Sequence, residues 1–403
     1  MQRISNSTKQ RYYTFLLILA ILFIASTLRS PITSVGPLIP IFRNELEVTN
    51  AMIGLINTLP LIAFGIFSSF VPTLSRKLGM EITLLMAMVV LSIGIYIRSI
   101  GDISMLLFGT LLLGIAISVG NVLMPGLIKS SFPYRIGLMT GIYSVTMNLF
   151  GALASGISVP ITSFPSLDWR NAMQVWSVIS LIAVIILLLR LPMIRSSRKK
   201  VFVDVKSQPP TALFKSKIAW AVTFFMGFQS FIPYSLFTWL PDILLAKGFS
   251  ESDAGWFIAI LQMGIIPTTF VAPIIAGKMN NQRIIGCIAG LLFFSGLLGI
   301  TFTSSSNLII AFLLLTGVGA GTAFSLAMMF FVLRTETVAQ SSQLSSMAQS
   351  VGYMVAALGP LLLGFISEWT NGWIIPLVIL MIVALCIAIL GTIAGKNEKI
   401  KFE

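Results

Sequence analysis

Tyr13 to Ile41 reads YTFLLILAILFIASTLRSPITSVGPLIPI, a long apolar run with one charge, Arg29, inside it. The apolar core of a cleaved signal peptide is only about 7–15 residues. Crossing the hydrocarbon of a bilayer takes roughly 20 residues as a helix. Residues 13–28 alone fall short of that, and the next charge after Arg29 is Arg43. The run therefore predicts one membrane-spanning helix continuing through Pro31 and Pro37 to about Ile41. Arg29 lies near its middle, roughly 3 Å from the centre at a rise of about 1.5 Å per residue. A charge at that depth costs at least about 2.5–3.5 kcal/mol on insertion scales, so it needs a reason.

Outward from this run the pattern repeats. Apolar stretches follow near residues 51–74, 80–98, 103–127, 137–160, 172–190, 218–244, 254–275, 284–303, 307–332, 343–367 and 373–394. Hydrophobic residues make up 56% of the 403-residue chain and charged residues 10%. An ordinary soluble domain carries about 25% charged residues, so a soluble enzyme is excluded. Unpaired backbone groups find no partner in lipid, so every stretch is expected to be a helix. The fold class is an all-α membrane protein of twelve transmembrane helices. There is no histidine, which removes the usual general base and the commonest metal ligand. Cys287 and Cys386 stand far apart in apolar runs and suggest neither a disulfide framework nor a zinc site. No GxxxxGK[ST] loop occurs, so nucleotide-driven transport has no support. No cofactor is expected, and no catalytic constellation.

The net charge is +13, and its placement gives topology. With the N-terminus inside, the outside segments hold only Arg43, Arg98, Arg170 and Lys247 of the 26 Lys and Arg, and Arg29 is intramembrane. The remainder fall inside, a strong positive-inside bias that puts both termini in the cytoplasm. The basic charge is thus accounted for by the membrane rather than by nucleic acid. The longest polar stretch, 191–217, contains RSSRKK and Gln208-Pro209-Pro210 and reads as a flexible cytoplasmic linker. It separates a six-span half, 1–190, from a second, 218–403. The halves look duplicated. At an offset of 201, Gly54, Pro72, Lys77 and Thr49 meet Gly255, Pro273, Lys278 and Ser250; at 206, Ser144-Val145 meets Ser350-Val351. Two parallel six-helix halves joined inside the cell are a transporter plan, with substrate bound near the midplane between halves that rock against each other.

Ser26, Arg29, Thr33 and Gly36 share one helix face. No span carries an Asp or Glu at mid-depth, and the nearest, Asp242, ends the seventh. Three roles for Arg29 stay open. It bonds carbonyls loosened by Pro31 or neighbouring amides; it pairs with an anionic substrate, as a planar guanidinium does well; or it reaches the outer interface if the helix breaks at Pro31. Other mid-span polar residues are Asn57, Asn121, Tyr143, Asn148, Gln229, Tyr234, Gln262, Gln349 and Tyr353. Each alone fits an interhelical hydrogen bond worth about 0.6 kcal/mol. Together Arg29, Thr33, Asn121, Tyr143, Gln229, Tyr234, Gln262, Gln349 and Tyr353 could line a polar site around one positive charge. Gly114, Gly317, Gly319 and Gly321 read as close helix packing, and the Trp and Phe residues as mostly lipid-facing or interfacial.

Three stretches carry a resemblance. Leu28 to Leu38 (LRSPITSVGPL), Met226-Gly227-Phe228-Gln229-Ser230 with Tyr234 and Trp239-Leu240-Pro241, and Gly137 to Tyr143 (GLMTGIY) are similar to the first, seventh and fifth helices of the cyanate permease and 2-nitroimidazole transporter family of the major facilitator superfamily. The resemblance implies the twelve-helix facilitator fold and small polar or anionic solutes such as cyanate, or nitroimidazole-type drugs. The usual acidic residue of the loop after the second helix is replaced by Ser75, ahead of Arg76 and Lys77. Arg76 and Lys77 remain candidate gating residues through bonds to helix ends.

The expected function is secondary transport of a small anionic or polar solute with Arg29 as its charge partner. The alternative is export of planar heteroaromatic drugs, with Tyr143, Tyr234 and Tyr353 as stacking faces. A membrane sensor lacks an output domain. Mid-depth carboxylates and histidines are the usual proton carriers, so coupling is left to the substrate's own ionisation, to Asp242, or to nothing. The expected partners are the solute and the bilayer, in the cell membrane. A monomer is expected because the site lies within one chain.

Overall fold

The computed structural model describes residues 2–46, 50–198 and 211–400, and every regular element among them is helical. Twelve helices of 18 residues or more form the fold. The second to sixth begin at Asn50–Phe67, Met80–Ile97, Ile103–Ser131, Ile136–Thr162 and Trp169–Arg198. The seventh to twelfth are Lys217–Leu245, Glu251–Lys278, Arg283–Phe302, Ser306–Leu333, Val338–Thr370 and Ile374–Ala394. Eleven described spans are long and apolar enough to cross a membrane. The seventh, though 29 residues long, is diluted by Gln229, Ser230, Tyr234, Ser235 and Thr238.

The first span departs from the expected continuous helix to Ile41. It is helical over Gln2–Thr27, turns at Leu28-Arg29, and resumes as Ser30–Thr33, a 3-10 turn Gly36–Leu38 and a helix Ile39–Leu46. Pro31 has no N–H to give Thr27, and Pro37 breaks the ladder again. The second span is also interrupted. A 3-10 turn, Ser68–Phe70, precedes Val71–Leu78, which starts with Pro72 at its first turn. Its repeat partner Pro273 lies inside an unbroken helix. The sixth helix continues past Arg190 to Arg198, so residues 191–198 of the expected linker are helical. Lys199, Lys200 and Gln208-Pro209-Pro210 lie outside the described residues, as does Thr49.

The chain packs as two units. One comprises 1–124 with 146–207; the other comprises 125–145 with 208–403. In the first unit, the buried hydroxyls of Ser92 and Ser180 meet at 2.7 Å and join the third and sixth spans. Arg190 pairs with Glu81 through two bonds, 2.8 Å from Nε and 3.0 Å from Nη2, and a third bond reaches the Tyr13 carbonyl. This ties the sixth, third and first spans at one end. At the other end, Trp169 Nε1 donates to Glu45 at 2.7 Å, with Phe42 against the edge of the indole.

The second unit is built on glycine contacts, as helix packing in lipid requires small interfaces. A Cβ on Gly317 would lie 2.3 Å from the Leu261 carbonyl, and one on Gly321 2.4 Å from that of Ile265. Gly286 and Gly391 bring the ninth and twelfth spans equally close, and Gly137 sits on the Pro273 carbonyl. Lys129 Nζ caps the end of the tenth span, donating to Val332 O at 2.9 Å and Thr335 Oγ1 at 3.0 Å. A capping box, Thr337 with Gln340, opens the eleventh. Arg334, just beyond the tenth span, donates to Gln282 and lies over the Phe330 ring. Burial pulls its guanidinium down to about 10, against the attraction of Glu398. The aromatic side chains are divided between surface and core: Phe70, Phe302 and Phe365 are exposed, whereas Phe42, Phe64, Phe225, Phe293, Phe330, Phe331 and Trp169 are buried.

Candidate functional site

The break in the first span shapes the surroundings of Arg29. The N–H groups of Ile32 and Thr33 both converge on the Arg29 carbonyl, at 3.0 and 3.1 Å, so a new helical turn starts there. The Arg29 side chain is half-buried, and its Nη1 donates to Asn148 Oδ1 of the fifth span at 2.6 Å. One turn on, the Thr33 hydroxyl donates to the Gly151 carbonyl at 2.7 Å. Gly151 makes this approach possible: a Cβ there would lie 3.1 Å from Arg29 Cγ and 3.2 Å from Cδ. The predicted stripe is thus real over Arg29 and Thr33, and its neighbour is Asn148.

Among the described residues, ion pairs join Arg170 to Glu45 and Asp168, Arg190 to Glu81, and Lys399 to Glu336. None includes Arg29. A guanidinium has five N–H donors, and a neutral amide leaves its charge uncompensated. Asn121, next to Gly120, is 7% exposed in the fourth span. A Cβ on Gly120 would strike Leu28 at 2.5 Å, so this helix passes close beside the break.

Apart from Arg76 and Lys77, the remaining candidates belong to the second unit. Gly227 and Gly352 bring the seventh and eleventh spans within reach of one another's backbone, and Gln229, Gln349 and Tyr353 flank that crossing. Gln229 turns its amide back onto its own helix, to Met226 O at 3.1 Å and Ser230 Oγ at 2.7 Å. Gln349 is fully buried and donates to Ser345 at 2.9 Å, while its Oε1 accepts no hydrogen bond. Tyr143 and Tyr353 are buried at 1% and 5% exposure; Tyr234 and Gln262 are half-buried. Arg76 and Lys77 are exposed in a helix's last turn, where basic charge suits the helix dipole. Arg76 bonds Thr73 of its own helix at 3.3 Å.

Arg98 has a role that sequence reading did not assign. Counted there among the outside charges, it follows directly on the third span, is 1% exposed, and donates from Nη1 to the Pro31 carbonyl at 2.7 Å and from Nη2 to Ser34 Oγ at 3.4 Å. The role of bonding carbonyls near Pro31, entertained for Arg29, falls to Arg98. Its position at the end of the third span gave no sign of this, because only the fold brings residues 31 and 98 together.

Residues 15–357 match the Major Facilitator Superfamily. The chain is 38% identical to the uncharacterised transporter YycB of Bacillus subtilis (strain 168), with 97% of this chain and 96% of that one covered. It is 36% identical to the 2-nitroimidazole transporter of Escherichia coli (strain K12), covering 96% of each. The cyanate transport protein CynX of the same organism is more distant, 22% identical over 89% of this chain and 91% of the relative. Among solved structures, the proton:xylose symporter XylE matches with a TM-score of 0.78 at 12% identity, over 97% of this chain and 98% of that one.

Proposed function

Because this chain belongs to the major facilitator superfamily and is a membrane transporter of a small solute, we propose that its solute presents a compact acceptor group to Arg29. The observation that carries this is the intramembrane guanidinium held by one neutral amide, with no carboxylate paired to it among the described residues. A cation kept in the membrane at a cost of about 2.5–3.5 kcal/mol is best compensated by a ligand that brings negative charge. An oxyanion accepts from the guanidinium fork in two bonds, and the paired oxygens of a nitro group match the same fork more weakly. Cyanate offers a terminal acceptor and formal charge. These are the two solute chemistries for which the curated relatives are named. The closer one favours the nitro-bearing solute as the first to test. Thr33 and Asn148 orient the guanidinium, and Asn121 lies on the neighbouring helix. The buried Tyr143 ring gives little support to a site built on tyrosine stacking.

Transport then works by alternating access, with two six-helix halves, 1–190 and 218–403, joined by 191–217. The charge asymmetry of the loops supports a cell-membrane orientation with both termini cytoplasmic. Arg76 and Lys77 act at the helix end that closes one side, and a monomer suffices.

The test is uptake of labelled 2-nitroimidazole and of labelled cyanate into proteoliposomes by the wild type, Arg29→Leu and Arg29→Lys. Wild-type uptake of either solute, lost in a folded Arg29→Leu, supports the proposal. Uptake unaffected by Arg29→Leu makes Arg29 structural and removes it from the site. Arg29→Lys keeps the charge and loses the fork, so a large deficit there favours bidentate recognition.

A further inference from the structure

The first span carries a second arginine on its broken segment, from the third span, and backbone accounting shows what it does. In an uninterrupted helix the Pro31 carbonyl accepts from the Val35 N–H. Here Val35 N donates instead to Ile32 O at 3.3 Å, and Leu38 N to Val35 O at 3.0 Å, as the chain tightens into a 3-10 turn ahead of Pro37. The Pro31 carbonyl is left without that N–H, in a buried segment where an unpaired backbone group is costly. Two donors take its place: Arg98 Nη1 at 2.7 Å and the Ser34 hydroxyl at 3.1 Å, and Ser34 Oγ in turn accepts from Arg98 Nη2 at 3.4 Å. One guanidinium thus holds both ends of a four-residue segment, Pro31 to Ser34.

Arg98 is itself pinned. A Cβ on Gly109 of the fourth span would lie 2.5 Å from Arg98 N and 2.6 Å from Arg98 Cβ. Glycine lets the fourth span press directly on the residue's backbone, so its side chain leaves from a fixed point. None of the ion pairs among the described residues includes Arg98. Its charge is committed to the first span.

The clamped segment matters because of what surrounds it. Arg29 lies two residues before Pro31 and Thr33 two residues after it, and both reach the fifth span, at Asn148 and Gly151. The rotation of Ser30–Thr33 about its axis sets where both side chains point. Pro31 fixes its own φ and removes one hydrogen bond, but its ring makes no bond that ties the segment to a neighbouring span.

We propose that Arg98 is a positioning residue of the transport site: by capping the Pro31 carbonyl and Ser34 it sets the pitch of the broken first span and so aims Arg29 and Thr33. Arg98 touches no solute, and its effect travels through the clamped backbone. The inference rests on Arg29 being the solute-binding cation, but the clamp can be measured without any solute.

The experiment compares wild type, Arg98→Met and Arg98→Lys in nanodiscs and in proteoliposomes. Amide hydrogen exchange is followed on peptides covering residues 28–38, 80–97 and 136–162. Arg98→Met is expected to speed exchange at 28–38 at least about tenfold, with 80–97 near wild type. Arg98→Lys, which keeps one donor for the Pro31 carbonyl, is expected to restore most of that protection. In uptake of 2-nitroimidazole or cyanate, Arg98→Met is expected to raise KM about tenfold with a smaller change in kcat, and Arg98→Lys to recover much of it. Unchanged exchange at 28–38 in Arg98→Met overturns the clamp. Exchange raised throughout the first unit, with no rescue by lysine, makes Arg98 a general structural residue and overturns positioning. Faster exchange at 28–38 with KM unaltered also overturns it. If the wild type moves neither solute, the proposed function fails. The exchange result then still decides whether Arg98 clamps the break.

Discussion

Gly151→Ala adds one methyl group where the structure leaves least room beside Arg29. Its Cβ would stand 3.1 Å from Arg29 Cγ and 3.2 Å from Cδ. Carbon atoms rest at about 3.5–4.0 Å, so the arginine stem must retreat by about 0.4–0.9 Å. The stem is half-buried and flexible enough to move. Its head is less free, because the bond to Asn148 is only 2.6 Å long. A hydrogen bond to a charged group is worth about 1.5–3 kcal/mol. Losing roughly half of it through a displacement of this size costs about 1 kcal/mol, or about fivefold in an equilibrium constant. The expected result is a KM for 2-nitroimidazole or cyanate raised about fivefold in proteoliposomes, with the melting temperature in detergent within a few degrees of wild type. Gly156→Ala is the control: on the same helix, with nothing within 4 Å of its added Cβ, it should leave KM and stability as they are. A Gly151→Ala protein with unaltered KM, in a background where Arg29→Leu abolishes uptake, refutes the claim that the Arg29–Asn148 geometry sets affinity.

Two further outcomes can be stated. Glu81→Gln removes the carboxylate from Arg190, whose side chain is 5% exposed against 21% for Glu81; the loss should be about 2–3 kcal/mol, short of the roughly 3–5 for a fully buried pair. The double variant Glu81→Met with Arg190→Met should recover a good part of that in thermal unfolding, and a double variant no better than the single would contradict a burial penalty. Gln349→Leu removes a buried amide whose Oε1 accepts no hydrogen bond among the described residues and whose nitrogen donates to Ser345 Oγ at 2.9 Å. Its stability cost should be about 1 kcal/mol or less. An uptake deficit beyond tenfold at that small cost would mark the Gln349 oxygen as a solute contact, and normal uptake would remove it from the site.

How much of this was legible in the chain differs from residue to residue. The spans were plain, because each is an apolar run of membrane length and lipid permits little but a helix there. The close-packing glycines were legible for a related reason: a Cβ added at Gly114, Gly317, Gly319 or Gly321 would lie within 3 Å of another helix. Arg29 stood out because a charge at mid-depth is anomalous in any span. The break beside it was held only as an alternative to a continuous helix, although both prolines were in view, because a proline alone does not say whether a helix kinks or stops. That depends on what takes up the carbonyls it strands. The neighbours of Arg29 were not legible either, since Asn148 was one of several amides and nothing local distinguished it.

By itself the sequence determined the class of protein, the number of crossings and the expected orientation, and it singled out Arg29 as a charge inside an apolar run. These follow from hydropathy and charge, which act residue by residue against the solvent. The tertiary structure decided which amide faces Arg29, why position 151 is glycine, and that the Arg98 side chain is buried against the first span. Each of those depends on two segments many residues apart arriving at one place. Hydrogen bonds of about 3 Å are set by helix rotation and crossing, and neither is written in the hydropathy of a single span.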